Sequence, residues 1–370
     1  MKRIILLSFA VSLFLLASCD KDAGTDIAAP VKEKAVLHLS LCSPSTRATV
    51  EDTPDEANVN SIQVFVFAGD VLDGYKMASA SEISSMVVDV EATAGLRDIY
   101  VVVNALDLSG ISSKSSLLSN ITRLGETPSL SDASSGSLTY PANAFVMSGH
   151  LSDQTVGASY SGTIAVNRYA ARVHLSKVTR AFSAASLRDK AFRINRVYLT
   201  NVVTNEKLDF DNPASYTWMN ASFGADRTIS AGNRYVCQSA ETAVVADGAS
   251  YSAVHSLYAL ANEYSEDDEA RPMTYRCTRL VVECSIDVDG SGVFEDDEYY
   301  TYPIRLGALA SNKSYEIIEL VITKLGNRSN GDDFADDGED DDINKVAASA
   351  TVVVNDWTEV LIGDNGVYTI

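Results

Sequence analysis

Histidine is scarce in this chain: four in 370 residues (His38, His150, His174 and His255), beside five cysteines and two tryptophans. So few imidazoles and thiols, scattered along the sequence, leave little from which to build a histidine-based catalyst or a soft-metal centre. Basic residues are outnumbered too, 29 Lys and Arg against 50 Asp and Glu, and the net charge of −21 repels nucleic-acid phosphate. Catalytic signatures are missing. There is no H-E-x-x-H and no glycine-rich loop ahead of a helix, and Ser148-Gly149 is not a nucleophile elbow. A secreted hydrolase therefore lacks a paired constellation, and a non-enzyme without nucleic-acid partners is expected. Helical periodicity is confined to 113–124 and 185–192.

What is present is apolar content, 46%, in short segments with period-two alternation. Strands are expected at 37–42, 62–67, 99–104, 161–166, 171–175, 192–201, 278–286, 299–306, 315–323 and 351–355, with turn residues between them. This pattern predicts an all-β chain of sandwiches rather than βαβ units. Its length suits two domains, with the seam at 177–190: an N-terminal sandwich over 48–180 and a C-terminal one over 187–370. The acidic run 332–342 reads as a solvated linker.

The first residues read as an address. Met1-Lys2-Arg3 is a basic start, and 4–17 is an apolar run too short for a comfortable membrane span, so 1–18 reads as a signal peptide. Its end, Leu16-Ala17-Ser18-Cys19, resembles the bacterial lipobox, which implies lipidation of Cys19 and attachment to a membrane, followed by a polar tether to residue 34. With Cys19 so used, Cys277 and Cys284 lie seven apart in one extended segment, beyond disulfide reach. Free buried thiols are the expectation, although a bridge from Cys237 to one of them stays open.

One segment has metal-ligand spacing. Asp287, Asp289, Ser291 and Glu298, with Gly292 at the turn, match the calcium loop D-x-D-x-S-G-x5-E. An EF-hand needs helical flanks, and here both flanks read as strands, so a polar hairpin loop is preferred and calcium is the secondary reading. No other cofactor is expected. Trp218, Trp357 and the tyrosines keep a carbohydrate-binding surface lipoprotein as an alternative, though aromatic residues in sandwiches are more often core.

Read in order, the pieces carry a resemblance. The Cys19 lipobox, the alternating segment closed by Thr46-Arg47-Ala48, Ile62 to Phe67, Asp98-Ile99-Tyr100-Val101-Val102-Val103-Asn104-Ala105 and Phe145-Val146-Met147-Ser148-Gly149 form its first part. Asn167-Arg168-Tyr169-Ala170-Ala171-Arg172-Val173, Phe192 to Asn201, Asn312-Lys313-Ser314-Tyr315-Glu316-Ile317 and Val352-Val353-Val354-Asn355-Asp356-Trp357 continue it. Together they are similar to Bacteroidales major fimbrial subunits, the FimA/Mfa-type proteins of type V pili. The resemblance implies two transthyretin-like sandwiches and a shaft subunit of a cell-surface fimbrium that supports adhesion. It implies export as an outer-membrane lipoprotein, and an arginine-specific protease that cuts between Arg47 and Ala48 and removes the 19–47 propeptide with its strand of Leu37, Leu39 and Leu41. C-terminal strands near 346–370 of another copy or another fimbrial subunit, carrying Val352, Val354 and Trp357, would fill the vacated groove. A minor, tip or anchor subunit is the alternative within the family.

Overall fold

The computed structural model describes residues 33–42, 58–123, 145–203, 205–209, 218–219, 237–252, 255–262, 277–295, 298–329, 358–361 and 367–369. Among these the chain is β-rich, with three short helices. The N-terminal part runs β1 (Lys34–Cys42), β2 (Ile62–Ala68), β3 (Val71–Met77), α1 (Ala80–Ser85), β4 (Val87–Thr93) and β5 (Gly95–Val103). It continues through α2 (Lys114–Ser119), β6 (Ile121–Arg123), β7 (Met147–Val156), β8 (Ser159–Ala165) and β9 (Asn167–Arg168).

Two sheets form from these strands, one ordered β4-β1-β8 and the other β3-β2-β5-β7-β9. Alternation sends Leu37 and Leu39 of β1 and Val88 and Val90 of β4 inward, where they meet Val64, Val66, Ile99, Val101 and Ile164 in one core. Strand β2 is buried on both faces, which explains its unbroken apolar sequence. Its other face carries Phe65 and Phe67, stacked at 6.2 Å between ring centroids and packed in a second core with Leu108 and Leu117. Helix α1 is short and held by a capping box, the Ser79 hydroxyl and the Glu82 carboxylate each accepting the other's backbone N–H.

The rest of the chain runs β10 (Ala170–Leu175), β11 (Val178–Arg180), α3 (Ala185–Arg188), β12 (Phe192–Thr200), β13 (Val202–Val203), β14 (Asn205–Lys207) and β15 (Trp218–Met219). Next come β16 (Cys237–Val244), β17 (Ser250–Tyr251), β18 (His255–Leu260), β19 (Arg279–Ile286) and β20 (Tyr299–Arg305). The last are β21 (Lys313–Ile317), β22 (Glu319–Ile322), β23 (Asn327–Ser329), β24 (Thr358–Leu361) and β25 (Val367–Thr369). They build sheets ordered β16-β12-β19-β20-β23, β18-β10-β21-β24 and β17-β11-β22-β25, over a core that includes Val173, Leu175, Ile194, Val197, Val282, Ile304 and Ile317. Small ladders pair β13 with β15 and β14 with β6.

Three local expectations change. The sequence places 170–180 at the end of the first sandwich, but β10 pairs with β18 and β21, and β11 with β17 and β22. The change of partners therefore comes between Arg168 and Ala170, because sheet membership is set by long-range pairing that a local pattern does not carry. The single strand expected over 315–323 is two, broken at Ile318, where β21 and β22 pass from one sheet to another in step with β10 and β11. The expected helices contract to α2 and α3, α2 being followed at once by β6. Cys277 and Cys284 are buried free thiols, as expected.

Candidate functional site

The arrangement most open to chemistry between chains is built around β1. That strand lies in the middle of its sheet, antiparallel to β4 from Lys34↔Thr93 to Ser40↔Val87 and parallel to β8 from Val36↔Ser159 to Cys42↔Ala165. Among the described residues, β4 and β8 have no ladder with each other, and β1 joins them. Further backbone bonds fasten its ends, from Leu41 N–H to the Met86 carbonyl at 2.9 Å and from Ala94 N–H to the Glu33 carbonyl at 2.8 Å.

Every second residue of β1 enters the core. Leu37 and Leu39 are fully buried, Ala35 and Leu41 nearly so, whereas Val36, His38 and Ser40 face outward. On that outer face His38 Nδ1 lies 2.7 Å from Asp89 Oδ1, with both groups about half exposed. Behind β4, Glu82 of α1 accepts the Asp89 N–H at 3.4 Å, and hydrogen bonds from Ser79 hold its carboxyl down at about 2. Withdrawal of β1 would open two strand edges and uncover four apolar slots, each costly to leave empty.

Leu37, Leu39 and Leu41, predicted to share one face, do so. Cys19, Arg47, Ala48, Val352, Val354 and Trp357 lie outside the described residues. The described C-terminal strands β24 and β25 run parallel to β21 and β22 at the edges of their sheets. Of the groove walls, β8 overlaps the strand expected at 161–166, whereas β4 went unread; the alternation of Val88, Val90 and Ala92 with Val87, Asp89 and Glu91 was the signal for β4.

The Asp287 loop joins β19 to β20 as a hairpin. Carboxylate oxygens of Asp287, Asp289 and Glu298 converge within 4.8 Å of one another. Each already accepts backbone N–H groups: Asp287 from Gly290, Ser291 and Gly292, Asp289 from Ser291, and Glu298 from Val288, Asp289 and Glu295. Ser291 directs its hydroxyl to the Val293 carbonyl at 3.1 Å. The bond from Ser291 lowers the Asp289 carboxyl. Oxygen donors of this kind suit a hard cation such as calcium, and equally a closed polar turn.

Residues 35–177, which contain β1, β4 and β8, match the family model of the major fimbrial subunit protein (FimA). Over those residues the chain is similar to the FimA-type fimbrial subunits. It is 25% identical over 333 residues to a protein named "Putative fimbrium tip subunit Fim1C" from Parabacteroides distasonis, covering 84% of this chain and 82% of that one. Its fold is similar to that of a crystallised fimbrilin (FimA) from Porphyromonas gingivalis W83, with TM-score 0.59, 16% identity, and 90% and 97% of the two chains covered. The chain is thus all-β and sandwich-like, a fold it shares with that fimbrilin.

Proposed function

We propose that this chain is a structural, non-enzymatic subunit of cell-surface fimbriae that associates with other fimbrial subunits and enters its filament by strand exchange at the β1 groove. It is exported as a lipoprotein through Cys19 and held at the outer membrane. An arginine-specific protease then cuts after Arg47, and β1 leaves with the propeptide. A C-terminal strand of a neighbouring subunit replaces it by main-chain hydrogen bonds and alternate side chains in pockets. In turn this chain offers its own segment around Val352, Val354 and Trp357 to the next groove. The observation that carries this reading is the position of β1: it precedes Arg47 in the chain, is central in its sheet and, among the described residues, is the one strand that pairs with both β4 and β8.

The shaft is the position suggested by the order of motifs. A terminal position is favoured by a different observation, the name of the Parabacteroides distasonis relative. Mass spectrometry of the N-terminus in filaments sheared from cells tests the maturation step. A chain beginning at Ala48 is expected; recovery solely as an acylated, uncut chain beginning at Cys19 overturns it. Immunogold labelling along the filament or at its end separates shaft from tip.

A further inference from the structure

We propose that the β1 groove is sized for a donor strand of another fimbrial subunit, one richer in large apolar residues than the 346–362 segment of this chain. That donor carries leucine-sized apolar side chains at three successive alternate positions. The inference rests on the strand-exchange reading above and concerns which strand fits.

The groove prescribes size. A strand that takes the direction of β1 runs parallel to β8 and antiparallel to β4. It must then present, from its N-terminal end, one small side chain and three large ones in the places of Ala35, Leu37, Leu39 and Leu41, which are between 0% and 7% exposed. Outward positions are permissive, because Val36, His38 and Ser40 face solvent.

By its residue types, the 346–362 segment of this chain offers no such strand. Its best alternating set is Ala348, Ala350, Val352 and Val354. Laid in the groove with Ala348 in the place of Ala35, it puts alanine where Leu37 stood and valines where Leu39 and Leu41 stood, five carbon atoms fewer in all. A shift by two residues brings Val352 and Val354 to the first two leucine slots but drives Asp356 into the third, burying a carboxylate. The opposite face of the segment, Ser349, Thr351, Val353 and Asn355, is largely polar. Further on, Thr358, Val360 and Ile362 supply two large apolar residues, and Thr358–Leu361 is already the partner of β21. Close packing makes such underfilling expensive, since each missing methylene forfeits roughly fourfold in affinity.

Competition measures the preference directly. The full chain is cut after Arg47, and a fluorescent Lys34–Cys42 peptide is exchanged into it. Two competitors are compared: the 346–357 peptide of this chain, and the same peptide carrying Ala350→Leu, Val352→Leu and Val354→Leu. The leucine peptide is expected to compete roughly 100-fold better, several of the fourfold steps surviving partial collapse of the slots. Equal competition overturns the size preference and leaves strand exchange standing. If the fluorescent Lys34–Cys42 peptide never enters the cut chain, strand exchange itself fails, and this inference falls with it.

Discussion

Leu39 of β1 lies directly opposite Val88 of β4, and both are wholly buried. The pair places β1, the strand proposed to leave, at the centre of the first core rather than on its rim, and under strand exchange stability depends on maturation state. Leu39→Ala leaves a cavity in the uncut precursor and should cost about 2–5 kcal/mol there. Once the propeptide has gone and a donor strand has replaced it, the substitution should have no effect. Denaturant melts of the precursor and of the filament check this. An equal loss in both would mean that β1 stays in place.

The helix that backs β4 titrates. Glu82 has its carboxyl at about 2, first through hydrogen bonds with Ser79 and then through the bond from Asp89. A carboxyl lower in the folded state than in the unfolded chain adds stability above the unfolded value near 4.5 and loses it as pH falls toward 2. Because the group is near the surface, the contribution is about 1 kcal/mol or less after solvent screening. Glu82→Gln should flatten the acid limb of stability between pH 5 and 2, and Ser79→Ala should cost about 1 kcal/mol at neutral pH. Unfolding midpoints across that range decide it.

How far the sequence discloses this molecule varies with the range of the interaction. Strand β1 is legible because Leu37, Leu39 and Leu41 alternate with His38 and Ser40, and its face follows from period two alone. Strand β2 is legible as a strand, but the second apolar face carrying Phe65 and Phe67 is explained only once Leu108 and Leu117 are seen to cover it. The assignment of Ala170–Leu175 to the second half was illegible, because its partners lie about 85 and 140 residues downstream and nothing local points to them. At the site, β1 and most of its wall β8 could be read, while the wall β4 could not: it follows a capped helix that breaks the alternation just before Val87.

Arg180 is predicted to be irreplaceable by lysine. Its buried guanidinium donates to the carbonyls of Val245, Leu187, Arg188 and Lys190 at 2.7–2.8 Å and lies 5.2 Å and 5.5 Å from the ring centroids of Phe182 and Phe192. Burial lowers the affinity of this group for its proton, yet four carbonyls hold the fork in place. An ammonium cannot reach all of them. Arg180→Lys should cost about 2–3 kcal/mol and Arg180→Ala somewhat more, through carbonyls left unpaired around α3. Thermal melts should show both, and accelerated proteolysis within 181–191 should accompany them.

The Asp287 loop yields the sharpest contrast between a turn and an ion site. In a closed polar hairpin the three N–H groups bonded to Glu298 and the three bonded to Asp287 already satisfy the buried carboxylates. Chelator should then leave the melting temperature unchanged, and Glu298→Gln should cost about 1–2 kcal/mol by weakening charge-assisted bonds. A loop that holds calcium behaves in the opposite way. There, millimolar calcium raises the melting temperature through selective binding to the folded state, and Glu298→Gln abolishes the rise. Melts of the full chain with calcium, with magnesium and with chelator distinguish the two. The strands on both sides, β19 and β20, make the hairpin outcome the expected one.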